Sequence, residues 1–263
     1  MKLFRVLVVA AGLLLLWEAL VRLTAVPPFI LPGPLAVALR FLAQFDLLLH
    51  HGWVTAVEIL LGLFCGTLMG MASALLIVAS RPARAWLMPL LVISQALPVF
   101  ALAPLLTLWF GYGLASKVVM ASLIIYFPVA AAFVDGLRRA DPGLIDLARV
   151  MGASPLAILL NLRLPGALPA LASGLRVAAA TAPIGAVVGE WVGSSRGLGY
   201  LMLHANARLQ VDLMFAALAL LALFSLTLYF TLDAALRRLT AWQPESDSVS
   251  AAGFSLLPEK GPS

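Results

Sequence analysis

The stretch DLARVMGASPLAILLNLRLPGALP, residues 146–169, is a polar, amphipathic interruption between long apolar segments. It carries Asp146 and Arg149, and it contains Gly152 and Pro165. Charged groups are costly to place among lipid chains, so a very apolar chain has to keep this stretch in water or against a protein surface. The side of the membrane on which this stretch lies determines the orientation of the apolar segments around it.

The composition of the whole chain indicates an integral membrane protein. Of its 263 residues, 63% are hydrophobic and 11% are charged, and the mean hydropathy is +1.05. Soluble domains are nearer half apolar and a quarter charged, so the bilayer must be part of the solvent of this chain. The net charge of +5 comes without a Lys/Arg run or a basic face with interleaved aromatics, which argues against nucleic-acid binding.

Six apolar segments are long enough to cross a bilayer as helices, which takes about 20 residues each. The predicted spans are 4–24, 53–79, 87–110, 117–137, 168–192 and 213–236. The first span resembles a secretory signal but lacks a convincing cleavage site, so we interpret it as a retained helix. Within it, Glu18 and Arg22 are one turn apart and are expected to pair. The sequence therefore predicts an all-α, polytopic membrane protein with about six transmembrane helices.

The basic residues predict the orientation. With the N-terminus inside, the cytoplasmic set is Lys2, Arg5, Arg81, Arg84, Arg138, Arg139, Arg149, Arg163, Arg237 and Arg238. The opposite side then holds Arg22, Arg40, Lys117, Arg196 and Arg208. Positive charge concentrates in cytoplasmic loops, so we expect both termini and residues 146–169 in the cytoplasm.

Two short helices are predicted for residues 141–165. Asp141 is a good N-cap for the first, and Gly152 interrupts the pattern before Ser154 starts the second. Apolar residues recur at helical spacing on one side: Leu144, Leu147, Ala148, Met151, Leu156, Leu159 and Leu160. Such a stripe outside the membrane calls for a protein partner, and a helix lying on lipid headgroups is the alternative.

Pro165 and Pro169 follow this second helix. Because proline lacks the backbone N–H and its ring clashes with the preceding turn, both are expected to end the second helix and to fix where the next span begins.

The residue order in this stretch resembles the hallmark of ABC-type importer permeases. That hallmark is an acidic-Ala-Ala triplet followed by a glycine and a hydrophobic-x-Leu-Pro. It falls here on Asp146-Leu147-Ala148, Gly152 and Leu162-Arg163-Leu164-Pro165, with Asp for the usual Glu and Leu147 for the usual Ala. The resemblance covers nearly the whole chain after the first span, including PVFALAPLLTLWFGYGLASKVV (98–119), SGLRVAAATAPIGAVVGEW (173–191) and SSRGLGYLM (194–202).

The resemblance implies a type I importer permease in a bacterial inner (plasma) membrane, with a coupling helix that docks into a cleft on a separate ATPase subunit. Two copies of the permease would pair as a homodimer, and a periplasmic or extracellular binding protein would deliver the solute. It implies that residues 1–52 form an N-terminal transmembrane helix and an outer loop, and that residues 53–242 form the transmembrane domain, with coupling helices at about 141–165. The composition of residues 243–263 indicates a disordered cytoplasmic tail. The coupling residues are Asp146, Ala148, Met151, Gly152, Ala153, Leu162, Leu164 and Pro165.

No cofactor is expected in this chain. It has no G-x-x-x-x-G-K-[ST] motif, so ATP and Mg²⁺ would be bound by the partner ATPase.

The same resemblance suggests a class of cargo. The chain looks most like the branch that imports sulfonates, nitrate, taurine and thiamine-pyrimidine precursors. Within that branch, residues 168–195 and 200–223 look closest to permeases for hydroxymethylpyrimidine-type precursors. Import of such a precursor is therefore the expectation, and sulfonate, taurine or nitrate are the alternatives.

Five residues within the spans are candidates for the translocation path or a gate: Glu190, Pro183, Pro98, Glu58 and Arg176. Ionisable groups inside a membrane are functional hypotheses, and structural pairing, or snorkelling for Glu58, is the alternative. Arg176 lies about 21 Å from Glu190 along one helix and is expected to meet Asp135 or nearby helix ends instead. Pro183, Pro98 and Pro104 are predicted to kink their helices.

The sequence matches to enzyme motifs are interpreted as coincidental. Residues 193–197 match G-x-S-x-G, but that motif requires a strand–turn–helix. His50, His51 and His204 lie in predicted outer loops without metal-ligand spacing, so neither a metal nor a catalytic site is expected. Two rival classes stay open at this point: a membrane-embedded enzyme, which would be active as a single chain, and a channel or carrier that needs no ATPase.

Overall fold

The structure, a computed structural model, describes residues 2–242 and is helical throughout, with no strand in that range. This confirms the all-α prediction, while the predicted tail 243–263 lies outside the described residues. The helices are α1 Lys2–Thr24, α2 Pro34–Ala43, α3 Phe45–Ala79, α4 Arg81–Ala96, α5 Val99–Phe110, α6 Leu114–Arg138, α7 Pro142–Val150, α8 Pro155–Ile158, α9 Leu164–Gly193, α10 Leu198–Ala207 and α11 Val211–Leu239, with a π-helical turn, Leu159–Arg163, between α8 and α9.

Four continuous helical segments in this range are long and apolar enough to cross a membrane: Phe45–Ala79, Leu114–Arg138, Pro155–Gly193 and Val211–Leu239. They contain the second, fourth, fifth and sixth predicted spans. The first predicted span forms α1, and its Arg22 Nε lies 2.6 Å from Glu18 Oε1, as expected. Because α1 is not among the four, the count of six spans stays a prediction.

The third predicted span is wrong as a single helix. It is divided into α4 and α5, which meet at 105°. Pro98 is the N-cap of α5, and Leu97 before it has an extended backbone (φ −80°, ψ 121°). A residue that precedes proline is sterically pushed out of the helical region, so Pro98 produces a break rather than the predicted kink.

Helix α6 lies at the centre of the bundle, between α3 and α9. Glycines at every fourth position of α3 allow it to approach α6 closely. A Cβ at Gly62 would lie 2.4 Å from Ala121 Cβ, and one at Gly66 would lie 2.8 Å from Ile125 Cβ. Close packing through small residues is typical of helices in membranes.

Residues 155–193 form one continuous helical segment through α8, the π-helical turn and α9. The prediction that Pro165 and Pro169 end the second short helix is therefore wrong. Leu164 N donates to Leu159 O, five residues back, in the wider π-helical turn. Such a turn relaxes the backbone just before Pro165, whose missing N–H would otherwise leave a gap in the helix. Pro169 and Pro183 both lie inside α9, which continues past them.

Candidate functional site

Residues 141–165, called the knob below, are shaped by local caps at three points. Asp141 Oδ1 accepts a hydrogen bond from Gly143 N (2.7 Å) at the start of α7, and Ser154 Oγ accepts one from Ala157 N (3.2 Å) at the start of α8. Between them Gly152 has φ +82°, and Ala153 N donates to Ala148 O. These are the features of a Schellman C-cap, which explains why glycine stands there. The first predicted helix and the predicted starts of both helices are confirmed, whereas the second helix continues into α9 instead of ending.

The outer surface of the knob is apolar and unusually exposed. Val150 and Met151 are 87% and 78% exposed, and Leu144, Leu147 and Leu156 are also exposed. Asp146 and Arg149 form only an exposed pair with each other, at 2.9 Å. Ile145 and Ile158 are buried and anchor the knob from beneath. A rigid surface of this chemistry suits contact with another protein.

The residues expected for coupling therefore fall into two groups. Asp146, Met151 and Gly152 are exposed on the knob. Ala148, Ala153, Leu162, Leu164 and Pro165 are partly buried. A cavity of about 410 Å³ lies between the end of α3 and the knob, bordered by Ala79, Ala153 and Pro155.

At the opposite end of α9, called the far end below, buried side chains hold the N-terminus of α10. Gly197 N donates to His51 Nδ1 (3.0 Å), and Leu198 N donates to Thr55 Oγ1 (2.7 Å). Gly199 N and Tyr200 N both donate to Glu190 Oε2. Thr55 Oγ1 in turn donates to Glu190 Oε1 (2.6 Å). These four N–H groups at the start of α10 have no partner within the helix, and side chains of α3 and α9 satisfy all of them.

The carboxylate of Glu190 also fits the electrostatics of this arrangement, because a helix N-terminus favours negative charge. The backbone leaves no room for side chains beside it. A Cβ at Gly197 would lie 2.2 Å from the Glu190 carboxyl carbon, and one at Gly199 would lie 2.8 Å from Glu190 Oε2. Gly197 also has φ +109°, which only glycine adopts readily.

Lys117 completes the far-end cluster, which we define as His51, Thr55, Glu58, Lys117 and Glu190. Its Nζ donates to Gly193 O (2.6 Å), Tyr112 O (2.6 Å) and Gly113 O (3.0 Å), so it joins the start of α6 to the end of α9. Lys117 and Glu58 are each 2% exposed, and Glu190 is 1% exposed.

The structure brings together two of the five path candidates and separates the others. Glu58 lies beside Glu190 and Lys117 instead of snorkelling to water. Arg176 is elsewhere, with its Nε 2.6 Å from Asp233 Oδ1, so the expected meeting with Asp135 is wrong. The predicted distance between Arg176 and Glu190 fits these separate partners. Pro183 is buried in α9, and Pro98 marks the α4–α5 break.

Sequence reasoning missed Thr55, His51 and Lys117 as members of this cluster. A lysine at the start of an apolar helix was a signal, although we interpreted it only as an outer-side charge. The histidines were placed in loops, which is wrong: His50 and His51 lie in α3, and His204 lies in α10. Within residues 2–242 no group of three or more His, Cys, Asp or Glu is arranged to hold a metal ion.

Comparison with known proteins gives a family match. Residues 59–242 match the family model described as binding-protein-dependent transport system inner membrane component. A probable ABC transporter permease of Haemophilus influenzae is 57% identical, covering 90% of this chain and 97% of its own. The riboflavin transport system permease of Chloroflexus aurantiacus is 40% identical, covering 88% and 87%.

Other matches differ in their named cargo. The formylaminopyrimidine transport permease of Halalkalibacterium halodurans is 34% identical, covering 81% of this chain and 86% of its own. Taurine and aliphatic sulfonate permeases match at 31% and 30% identity. Among solved structures, an inward-facing MetNI methionine ABC transporter aligns with a TM-score of 0.66 over 75% of this chain and 98% of that one, at 24% identity. That likeness shows the fold of a type I importer permease.

Proposed function

Because the chain belongs to the family of binding-protein-dependent transport system inner membrane components and is an ABC importer permease, we propose that it carries a thiamine-pyrimidine precursor inward and that a separate ATPase drives it through the knob. As a transport permease it is not an enzyme. A channel or carrier that needs no ATPase is the rival class, and solute uptake by the permease in the absence of any ATPase would favour it.

The observation that carries the coupling part of this proposal is the knob surface. Val150 and Met151 project from a turn whose backbone is held by the Gly152 C-cap, so the surface is apolar yet fixed in shape. Residues 155–193 then connect the knob without a break to the far end, a length of about 58 Å. A displacement of the knob is therefore transmitted along the whole of α9.

The proposed cycle is alternating access in a homodimer of this permease. ATP draws two ATPase subunits together, the two knobs move with them, and the bundle opens toward the binding protein to receive the solute. Hydrolysis returns the path to the inward-facing state. In this proposal Pro183 is a bending point within α9, and the α4–α5 break at Pro98 is a second flexible point. Glu190 and Glu58 are buried in this structure and reach the route only if the far-end cluster opens during the cycle.

The coupling is tested by Met151→Asp. Met151 is 78% exposed, so the variant should insert and fold normally but lose co-purification with the ATPase. Gly152→Asp should act in the same direction. The matched control is Leu209→Asp, which places the same charge on an exposed leucine at the far end. Normal ATPase association and uptake by Met151→Asp would contradict the role of the knob.

The cargo is supported by the names of two relatives. The permeases named for riboflavin and formylaminopyrimidine, both nitrogen heterocycles, are 40% and 34% identical, above the taurine and sulfonate permeases. The difference in sequence identity between these two groups of relatives is small, so sulfonate, taurine or nitrate is the second candidate cargo.

The cargo is tested by uptake in cells that express the permease with its ATPase and binding protein. A labelled hydroxymethylpyrimidine-type precursor should accumulate, and an unlabelled pyrimidine should compete with it. Riboflavin, taurine, sulfonates and nitrate serve as the comparison set. Uptake of taurine, but not of the pyrimidine, would overturn the cargo while leaving the coupling proposal intact.

A further inference from the structure

A cavity of about 400 Å³ at the far end opens between the α2–α3 junction and the turn that joins α10 to α11. Its walls combine cationic and hydrogen-bonding side chains, namely Arg40, Gln44, Tyr200, His204, Arg208 and Gln210. Neither the knob nor the far-end cluster uses this cavity. Its chemistry therefore needs a separate explanation.

The cavity has an excess of positive charge, and one of its two arginines is incompletely hydrogen-bonded. Arg40 Nε lies 3.2 Å from Asp212 Oδ2, but the geometry does not satisfy a hydrogen bond, and this buried Nε has no hydrogen-bond partner within residues 2–242. No carboxylate of the described chain forms an ion pair with Arg208. The described lining thus contains two guanidinium groups and no carboxylate, and Asp212 pairs with only one of the two arginines. Guanidinium groups are well suited to bind the oxygens of a phosphate or carboxylate.

The length of α11, taken as perpendicular to the bilayer, puts the cavity at the depth of the lipid headgroups. Helix α11 ends in Arg237 and Arg238, which mark one membrane surface. A hydrocarbon layer of about 30 Å reaches about 20 residues back along α11, to Ala217. Asp212 is a further five residues on, about 7 Å beyond that boundary, within the headgroup layer of the opposite leaflet. The contact of Asp212 with Arg40 places the cavity wall at the same level.

Helix α2 presents a lipid-type surface beside the cavity. It is apolar and, with ten residues, too short to cross a membrane. Leu35, Leu39 and Leu42 are exposed along one side, while Val37 and Arg40 share the side that packs toward α11. A helix with this division of faces lies in the membrane interface. An anion that reaches the cavity at this depth is thus more readily a lipid headgroup than an acidic side chain of another protein.

We propose that this cavity binds the phosphate group of an anionic phospholipid in the far-end leaflet. Arg40 and Arg208 hold the phosphate oxygens, and Gln44, Gln210 and Tyr200 provide hydrogen bonds to the headgroup hydroxyls. The bound lipid links α2 to the α10–α11 turn. Because the far-end cluster already fixes the start of α10, one wall of the site is ordered before the lipid arrives.

The experiment measures the thermal midpoint of the purified full-length chain in detergent as phospholipid is added. Phosphatidylglycerol should raise the midpoint in a saturable way, whereas phosphatidylcholine at the same mole fraction should not, because its choline group is repelled. Arg208→Gln should weaken the apparent affinity for phosphatidylglycerol roughly five- to tenfold. Arg208 is exposed and unpaired with any described carboxylate, so this variant should fold.

Arg196→Gln is the matched control, since Arg196 is another exposed cation at the far end but does not border the cavity. Its affinity should equal that of the unaltered chain. Equal stabilisation by phosphatidylcholine, or unchanged affinity in Arg208→Gln, would overturn the proposal. Replacement of the lipid by millimolar inorganic phosphate, or its displacement by the binding protein, would also overturn it, by showing a free oxyanion site or a protein contact instead.

Discussion

At the scale of the residue, one threonine has the central place in the far-end cluster. Thr55 Oγ1 accepts from Leu198 N and donates to Glu190 Oε1, so a single hydroxyl connects α3, α9 and α10. Every one of these atoms is buried, and a buried polar group left without a partner costs far more than an exposed one. Loss of this hydroxyl would therefore leave buried polar groups of both α9 and α10 without a partner.

The residue-scale prediction compares Thr55→Val with Thr55→Ser. Valine keeps the shape but leaves Leu198 N and one oxygen of Glu190 unpaired, so it should destabilise the fold by about 2–4 kcal/mol. Serine keeps the hydroxyl and should cost about 1 kcal/mol, mainly for the lost methyl group. Thermal unfolding in detergent measures both. Equal stability of the two variants would show that the hydroxyl does not hold α10.

At the scale of the element, the knob is built from caps that each act within a few residues. Asp141 caps the N-terminus of α7, Gly152 forms the C-terminal cap of that helix, and Ser154 caps the N-terminus of α8. None of these features needs the rest of the bundle. The knob can consequently keep its shape while its outer surface stays free for a partner.

The element-scale prediction concerns Asp141. Asp141→Ala should remove the cap on Gly143 N and cost α7 about 1 kcal/mol of helix stability, whereas Asp141→Asn keeps an acceptor and should be nearly neutral. Hydrogen exchange of the amides in the first turn of α7 reports the difference. Faster exchange in both variants, or in neither, would contradict a local cap.

At the scale of the whole molecule, α9 is the common component of the two sites. It begins at the knob and ends where Glu190 and Gly193 meet α10 and Lys117. Along its course Arg176 pairs with Asp233 of α11. A movement at the knob passes directly into this helix, because α8 and α9 belong to one continuous segment.

The prediction at this scale uses spin labels on exposed positions of the continuous segment. Labels at Leu156 and Val177 flank the π-helical turn, about 32 Å apart, and their separation should stay constant when the ATPase and nucleotide are added. Labels at Val177 and Trp191 flank Pro183, about 21 Å apart, and their separation should change if Pro183 is a bending point. A change in the first pair alone would place the hinge at the π-helical turn instead.

By itself, the sequence determined the all-α class, the membrane as solvent, the approximate place of most long helices and the caps of the knob. These features depend on composition or on residues within about four positions of each other, as with Asp141 and Gly143. Only the tertiary structure decided the far-end cluster. Thr55 and Glu190 are 135 residues apart, and which buried groups meet depends on how α3, α6 and α9 cross. The uninterrupted helix through Pro165 was decided in the same way, because proline removes one hydrogen bond but the surrounding packing determines whether the helix ends or widens into a π-helical turn.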